Sequence, residues 1–237
     1  MSQYLTFAGK SSHDFGIAIS GEATFNAPER DYSSVSVPGR NGDLIIDNGN
    51  FKNMPVTYPA AAIKDMPQRT SDFFNYLASK IGYQRLEDTY HPDEYRLAQY
   101  TGGVEVKSSG YMNREGQFDI TFNCKPQRFL KSGENTIKFN ANGSFLNPTN
   151  FEAKPKIRAF GTGAGTVGIG SYLITITEMD EYIDIDCDLM DAFKGATNMN
   201  SKVSFNAAQI SIPTGESGLT FSGDITSVEV TPRWFKI

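Results

Sequence analysis

The chain has 237 residues, enough for one large domain or two of ordinary size, each with a core of its own. With 39% hydrophobic and 21% charged residues the composition is that of a globular protein, and no apolar run approaches the roughly 20 residues of a membrane helix, which excludes a helical membrane protein. A net charge of −5, from 22 basic and 27 acidic residues, excludes an electrostatic grip on nucleic acid, because phosphate affinity is built from clustered Lys and Arg.

The first residues, MSQYLTFAGKSSHDF, lack a basic start and a long apolar stretch, which predicts no secretory signal and synthesis in a cytoplasm. Residues 15–25 (FGIAISGEATF) open with alternating apolar and polar side chains. Residues 104–107 and 117–123 alternate likewise, so the first half is predicted to be mostly β. Between them, Asp31 to Asn53 reads as a β-hairpin. Val35 and Val37 alternate with Ser34 and Ser36, the polar turn Pro38-Gly39-Arg40-Asn41-Gly42 leads through Asp43, and Leu44, Ile45 and Ile46 resume the strand. Two strands alone are marginally stable in water, so this hairpin has two possible homes: a sheet of its own domain or another chain.

One helix is predicted after Pro67. Ser71 and Asp72 are placed to cap and charge its start, Phe73, Phe74, Leu77 and Ile81 form an apolar stripe for the core, and Gly82 stands where a C-cap belongs. In GYQRLEDTYHPDEYRLAQY, Tyr83, Tyr90, Tyr95 and Tyr100 cluster beside Arg85 and Arg96. This fits either a contact surface or a packed strand pair.

The texture changes after Lys131. SGENTIKFNANGSFLNPTNFEAKP is rich in Gly, Asn, Ser and Pro, and it predicts a boundary between an N-terminal domain, 1–135, and a C-terminal domain, 136–237. Beyond it lie short strand candidates: Lys156–Phe160, Thr166–Ile169, Tyr172–Thr177, Tyr182–Asp186, Lys202–Phe205, Gln209–Ile212, Gly218–Phe221 and Ser227–Thr231. Many short strands with Gly and Pro turns read as a β-sandwich or jelly roll. The last strand, in TPRWFKI, either closes this sandwich or crosses back to the first domain.

Motifs that suggest chemistry have plainer readings. GTGAGTVGIG (Gly161 to Gly170) opens with glycines spaced G-x-G-x-G and leads into strand-like residues, whereas a dinucleotide fingerprint must open a helix, so a β-turn with tight strand packing is expected. In the acidic run from Glu178 to Asp191, a strand would turn Ile183, Ile185 and Cys187 inward and leave Asp184, Asp186 and Asp188 on a solvated face. Three carboxylates along a straight strand do not supply the roughly six to eight oxygens that calcium needs. Cys124 and Cys187 have no partner at metal-ligand spacing and are expected to be free and structural. His13 and His91 have no recognisable nucleophile word to serve. No catalytic, cofactor or metal site is expected, and the protein is predicted not to be an enzyme.

Several stretches in order carry a resemblance. VSVPGRNGDL (Val35 to Leu44) with DNGNFKN, GYQRLEDTYHPDEYRLAQYTG (Gly82 to Gly102), FDITFNCKPQRFLKSG (Phe118 to Gly133), LNPTNFEAKP (Leu146 to Pro155) and YIDID (Tyr182 to Asp186) resemble the distal tail proteins of long-tailed bacteriophages with flexible, non-contractile tails. The resemblance implies a mainly β chain, with an N-terminal mixed β-sandwich or barrel carrying one helix and an extended hairpin arm, and a C-terminal galectin-like β-sandwich. It also implies a virion protein made in the bacterial host cytoplasm. Its N-terminal domain would form a homohexameric ring joining the tail tube protein to the tail-tip protein, with receptor-binding proteins as further partners and DNA passing through unbound. Val35, Val37, Pro38, Gly39, Arg40, Asn41, Gly42 and Asp43 would form the subunit-interface arm, with Arg40 either an interface anchor or a solvated turn residue.

The alternative is a carbohydrate-binding module in residues 145–237 that contacts the host cell wall. Sugar-binding galectins carry a His-Asn-Arg set and a Trp with Glu and Arg. This half of the chain has no histidine and no tryptophan before Trp234, and fold alone does not license the function.

Overall fold

A computed structural model of the chain describes residues 3–20, 27–62, 65–109, 115–207 and 209–237. The chain divides into two compact units, Met1–Arg128 with Ile237, and Phe129–Lys236. It is mainly β, with one α-helix among the described residues.

In the first unit the strands are β1 (Leu5–Phe7), β2 (Lys10–Ser11), β3 (Ile17–Ile19), β4 (Arg30–Val35), β5 (Leu44–Phe51), β6 (Met54–Ala62), β7 (Gln84–Asp88), β8 (Glu94–Tyr100), β9 (Lys107–Ser109) and β10 (Glu115–Leu130), which runs on past Arg128. Helix α1 spans Met66–Ala78. The main sheet has the order β2-β1-β7-β8-β10-β6-β3, and β9 also pairs with β10. Its spine is the antiparallel β6–β10 ladder, which places Ala60 opposite Phe118, Tyr58 opposite Ile120 and Val56 opposite Phe122. The period of two sends these side chains to one face. They form the first core with Leu5, Phe7, Ile17 and Leu86. The predicted strand at 15–25 is found at Ile17–Ile19, and residues 21–25 lie outside the described residues; the alternation at 104–107 gives a strand only from Lys107.

Helix α1 closes that core. Pro67 stands in its first turn, where a missing N–H costs nothing, and Phe73 and Leu77 are buried with Met66 and Thr70 one turn or more earlier. Phe74 packs edge-on to Phe118 at 5.3 Å between ring centroids. Three details differ from the sequence reading. The C-cap is Ser79 and not Gly82. Ser71 and Asp72 lie inside the helix, because it starts at Met66. The helix ends before Ile81, so that residue falls outside the stripe and is 90% exposed.

The second unit holds β11 (Ile137–Phe139), β12 (Gly143–Asn147), β13 (Lys156–Ile169), β14 (Tyr172–Met179), β15 (Tyr182–Asp186), β16 (Asp191–Lys194), β17 (Thr197–Asn198), β18 (Val203–Phe205), β19 (Gly215–Thr231) and β20 (Phe235–Lys236). Its sheet order is β11-β19-β13-β15-β16-β17, with β12 also on β19, β14 on β13 and β18 on β14. Long β13 and β19 each merge two of the predicted strands, and Gln209–Ile212 contributes only an isolated bridge between Ile212 and Ala153. The core gathers inward residues such as Ile157, Val167, Ile174, Ile185, Val228 and Val230. Trp234 is buried in it, 6.4 Å from the Phe145 ring, and the N–H of Leu130 donates to the Trp234 carbonyl at 2.8 Å as β20 pairs with the end of β10.

Candidate assembly interface

β4 and β5 form a two-stranded sheet of their own. Residues 32–50 are exposed throughout. Their register puts Val35 opposite Leu44, Ser34 opposite Ile45, Ser33 opposite Ile46 and Tyr32 opposite Asp47. Polar clips hold the hairpin: Arg30 Nε donates to Asp47 Oδ2 at 2.7 Å, Ser34 Oγ to Asp43 Oδ2 at 2.7 Å, and Gly49 N–H to Asp47 Oδ1 at 2.8 Å. Hydrogen bonds from the Arg30 side chain and the Gly49 backbone hold the Asp47 pKa below its ordinary value. Nothing in these contacts covers the apolar side chains. Tyr32, Val35, Val37, Leu44, Ile45 and Ile46 are all exposed, Ile45 to 66%.

The eight residues singled out in the sequence therefore lie together, on and around the tip of this arm. Val35 ends β4. Val37 accepts the Arg40 N–H at 3.2 Å, closing a turn that holds Pro38 and Gly39. Gly39 and Gly42 have φ of +79° and +81°, a region L side chains enter at a cost, while Asn41 lies between Arg40 and Gly42 and Asp43 receives the Ser34 hydroxyl. Arg40 is exposed and has no ion pair among the described residues. Sequence reasoning did not single out Tyr32, Leu44, Ile45 and Ile46 as interface residues. The register puts Leu44 and Ile46 on the face of Val35, and Tyr32 and Ile45 on the opposite face.

Elsewhere the polar clusters brace the fold. Asp184 and Asp186 do not line a solvated face: they are 2% and 7% exposed. Arg158 donates to both oxygens of Asp184 at 2.7 Å each, and Arg233 to both of Asp186 at 2.9 and 2.7 Å. The sequence period was right for Ile183, Ile185 and Cys187, which are fully buried, and Asp188 is exposed. What it could not show is that β13 and the Arg233 turn bring guanidinium groups over that second face. Among the described residues no group of three His, Cys, Asp or Glu is placed to hold a metal. Burial pushes the thiols of Cys124 and Cys187 up to about 12.

In the first unit Tyr58 Oη donates to Asp88 Oδ2 at 2.7 Å, and the His91 N–H donates to Asp88 Oδ1 at 2.8 Å, with the His91 ring Nδ1 3.1 Å from the same oxygen. Burial, then the Asp88 charge, raises the Tyr58 pKa well above its ordinary value. These contacts fasten the turn between β7 and β8. Those strands form the packed pair, with Tyr90 and Tyr100 against the core and the Arg85 guanidinium 3.8 Å from the Tyr95 ring centroid.

The glycine run packs tightly, as expected, but mostly within a strand: Gly161 to Gly168 lie inside β13 against β19, where a Cβ on Gly161 would sit 2.1 Å from the Asp224 carbonyl oxygen, a bulge falls between Gly163 and Gly165, and Gly170, at φ +56°, stands in the turn before β14. An open groove of about 690 Å³ on the outer side of β3, β6 and β10 has Glu105 and Asp119 as its charged lining residues and a floor of Ala18, Pro59 and Ala61.

No protein-family model and no curated protein matches the chain. Among solved structures, the chain is similar to the Dit protein (gp 19.1) of phage SPP1, described as a paradigm of the hub of the adsorption apparatus in phages that infect Gram-positive bacteria. The TM-score is 0.76 and the identity 11%, over 97% of this chain and 98% of that chain. Along nearly its whole length, then, this chain has the fold of a phage Dit protein.

Proposed function

We propose that this protein is a structural, non-catalytic subunit of a long non-contractile phage tail, forming a homohexameric ring that connects the tail tube to the tail tip and lets DNA pass. The observation that carries the reading is the arm. A separate two-stranded sheet with six exposed apolar side chains is a poor resident of water, and such surfaces mark association sites. The SPP1 Dit fold supports the setting, because that protein is the hub of an adsorption apparatus.

In the ring the arm, with Val35 to Asp43 at its tip, reaches a neighbouring subunit and adds strand edges and apolar side chains to it. The second unit offers surfaces to the tail-tip protein and to receptor-binding proteins. Buried Trp234 is unavailable for sugar stacking, which counts against the cell-wall module. Light scattering of the purified protein across concentration tests the proposal. A hexamer, or a climb towards one, is the expected result, and a mass fixed at one chain under all conditions overturns self-assembly through the arm.

A further inference from the structure

The sequence contains three Asn-Gly pairs: Asn41-Gly42, Asn48-Gly49 and Asn142-Gly143. With no side chain beside it and a freely turning backbone, the glycine nitrogen of such a pair can reach the carbonyl carbon of the Asn side chain and close a ring. What decides the rate is how firmly the two groups are held apart, and the fold treats the three pairs differently.

Asn48 stands in β5, and the Gly49 N–H donates to Asp47 Oδ1 at 2.8 Å. Arg30 Nε fixes the other oxygen of that carboxylate at 2.7 Å, so the nitrogen that must attack is engaged. Asn142 Oδ1 accepts the Phe221 N–H at 2.9 Å, and Gly143 opens β12 opposite Leu219 of β19, so both members of that pair are held. Asn41 and Gly42 lie beyond the last rung of the hairpin, which joins Val35 to Leu44. Both are exposed, and among the described residues no hydrogen bond holds the Asn41 side chain or the Gly42 N–H. A Cβ on Gly42 would meet nothing within 4 Å, so the approach is open.

We propose that Asn41 is a site of spontaneous deamidation and that the fold spares Asn48 and Asn142. The Gly42 nitrogen gives its proton to hydroxide and bonds to Asn41 Cγ. The bond from Cγ to the side-chain nitrogen breaks, and that nitrogen takes a proton from water and leaves as ammonia. Water then adds to one of the two imide carbonyls. Opening at Cγ leaves an aspartate at this position, and opening at the main-chain carbonyl leaves an isoaspartyl link with one more carbon in the backbone. Either product adds a carboxylate close to Asp43, so a tip balanced between Arg40 and Asp43 becomes negative. The reaction belongs to the single chain and does not rest on the ring reading.

Peptide mapping by mass spectrometry tests this on dilute full-length protein held at mildly alkaline pH, beside the same chain unfolded in guanidinium chloride. In the folded protein Asn41 should convert about tenfold or more faster than Asn48 or Asn142, because the two held pairs react only after local opening. Unfolded, the three should convert at similar rates. Asn41→Gln, an exposed change whose longer side chain closes the ring poorly, should remove the first acidic species that ion exchange resolves from the folded protein. Asn41 left intact, equal rates at the three sites of the folded protein, or an acidic species that forms as fast in Asn41→Gln would each overturn the proposal.

Discussion

Arg233 is held in an unusual backbone conformation for the sake of its side chain. Its φ is +60°, a left-handed value that costs an L residue about 1 kcal/mol or more, and its N–H donates to the Gly133 carbonyl at 2.8 Å while its guanidinium forks onto Asp186. Burial alone would raise the Asp186 pKa. The Arg233 hydrogen bonds and charge, with N–H donors from Asp188 and Leu189, outweigh it and hold the carboxyl below its ordinary value. A carboxyl whose folded pKa lies below its unfolded one contributes stability that is fully present above the unfolded value of ~4 and lost as pH falls through the folded one. Arg233→Met should therefore destabilise the protein by roughly 3 kcal/mol near neutral pH, since it leaves a buried carboxylate without its counter-ion. The gap to the unsubstituted protein should narrow below about pH 4, as Asp186 protonates in both. Thermal melts across pH read both effects, and a gap that stays constant to pH 3 would exclude Asp186 as its source.

At the scale of elements, glycines of two kinds predict opposite outcomes. In the arm, a Cβ at Gly39 or Gly42 meets nothing within 4 Å, so the only penalty is the positive φ, and that penalty falls on an exposed tip. Gly39→Val or Gly42→Val should leave the melting temperature nearly unchanged while weakening assembly, and Arg40→Glu should weaken assembly through charge alone. In the second unit, Gly161→Ala forces a Cβ into the Asp224 carbonyl, and Gly223, at φ +75° with Ala164 O 2.5 Å from its Cβ, is constrained twice. Gly161→Ala should lower stability by about 1–3 kcal/mol through overpacking, read as a lowered melting temperature. A Gly39→Val protein that melts early, or a Gly161→Ala protein that melts normally, would reverse these assignments. The hairpin was legible in the sequence because alternation and turn residues are local signals. The same is true of the stripe through Phe73 and Leu77. Ile81 was misplaced because the helix ends at Ala78, where Ser79 caps it, and the chain has left the helix before Ile81. The bracing of Asp184 was illegible because its partner, Arg158, comes from another strand 26 positions away.

For the whole molecule the decisive property is charge that is already spent. Mainly-β character followed from pattern, but β13 and β19 looked like four short strands, since glycines that read as turns turned out to be close contacts between two long ones. Long-range pairing of that kind leaves no local signal. The same pairing governs the basic side chains. Arg30, Arg85, Arg128, Arg158 and Arg233 are each held by a carboxylate, so an excess of acid is joined by a shortage of free guanidinium groups. Duplex DNA binds proteins by exchanging condensed counterions for clustered Lys and Arg, with affinity falling steeply between roughly 50 and 200 mM salt. A chain of net charge −5 is poorly suited to such exchange, and in the proposed ring a channel built from it would repel phosphate and let DNA slide without adhering. The assembled protein should therefore leave duplex DNA unretarded in a gel at roughly 50 mM salt, where non-specific binders hold it. A complex that forms there and dissolves as salt rises would mean that assembly gathers the remaining lysines and arginines onto one surface, and the reading of free passage would then give way to one of DNA capture.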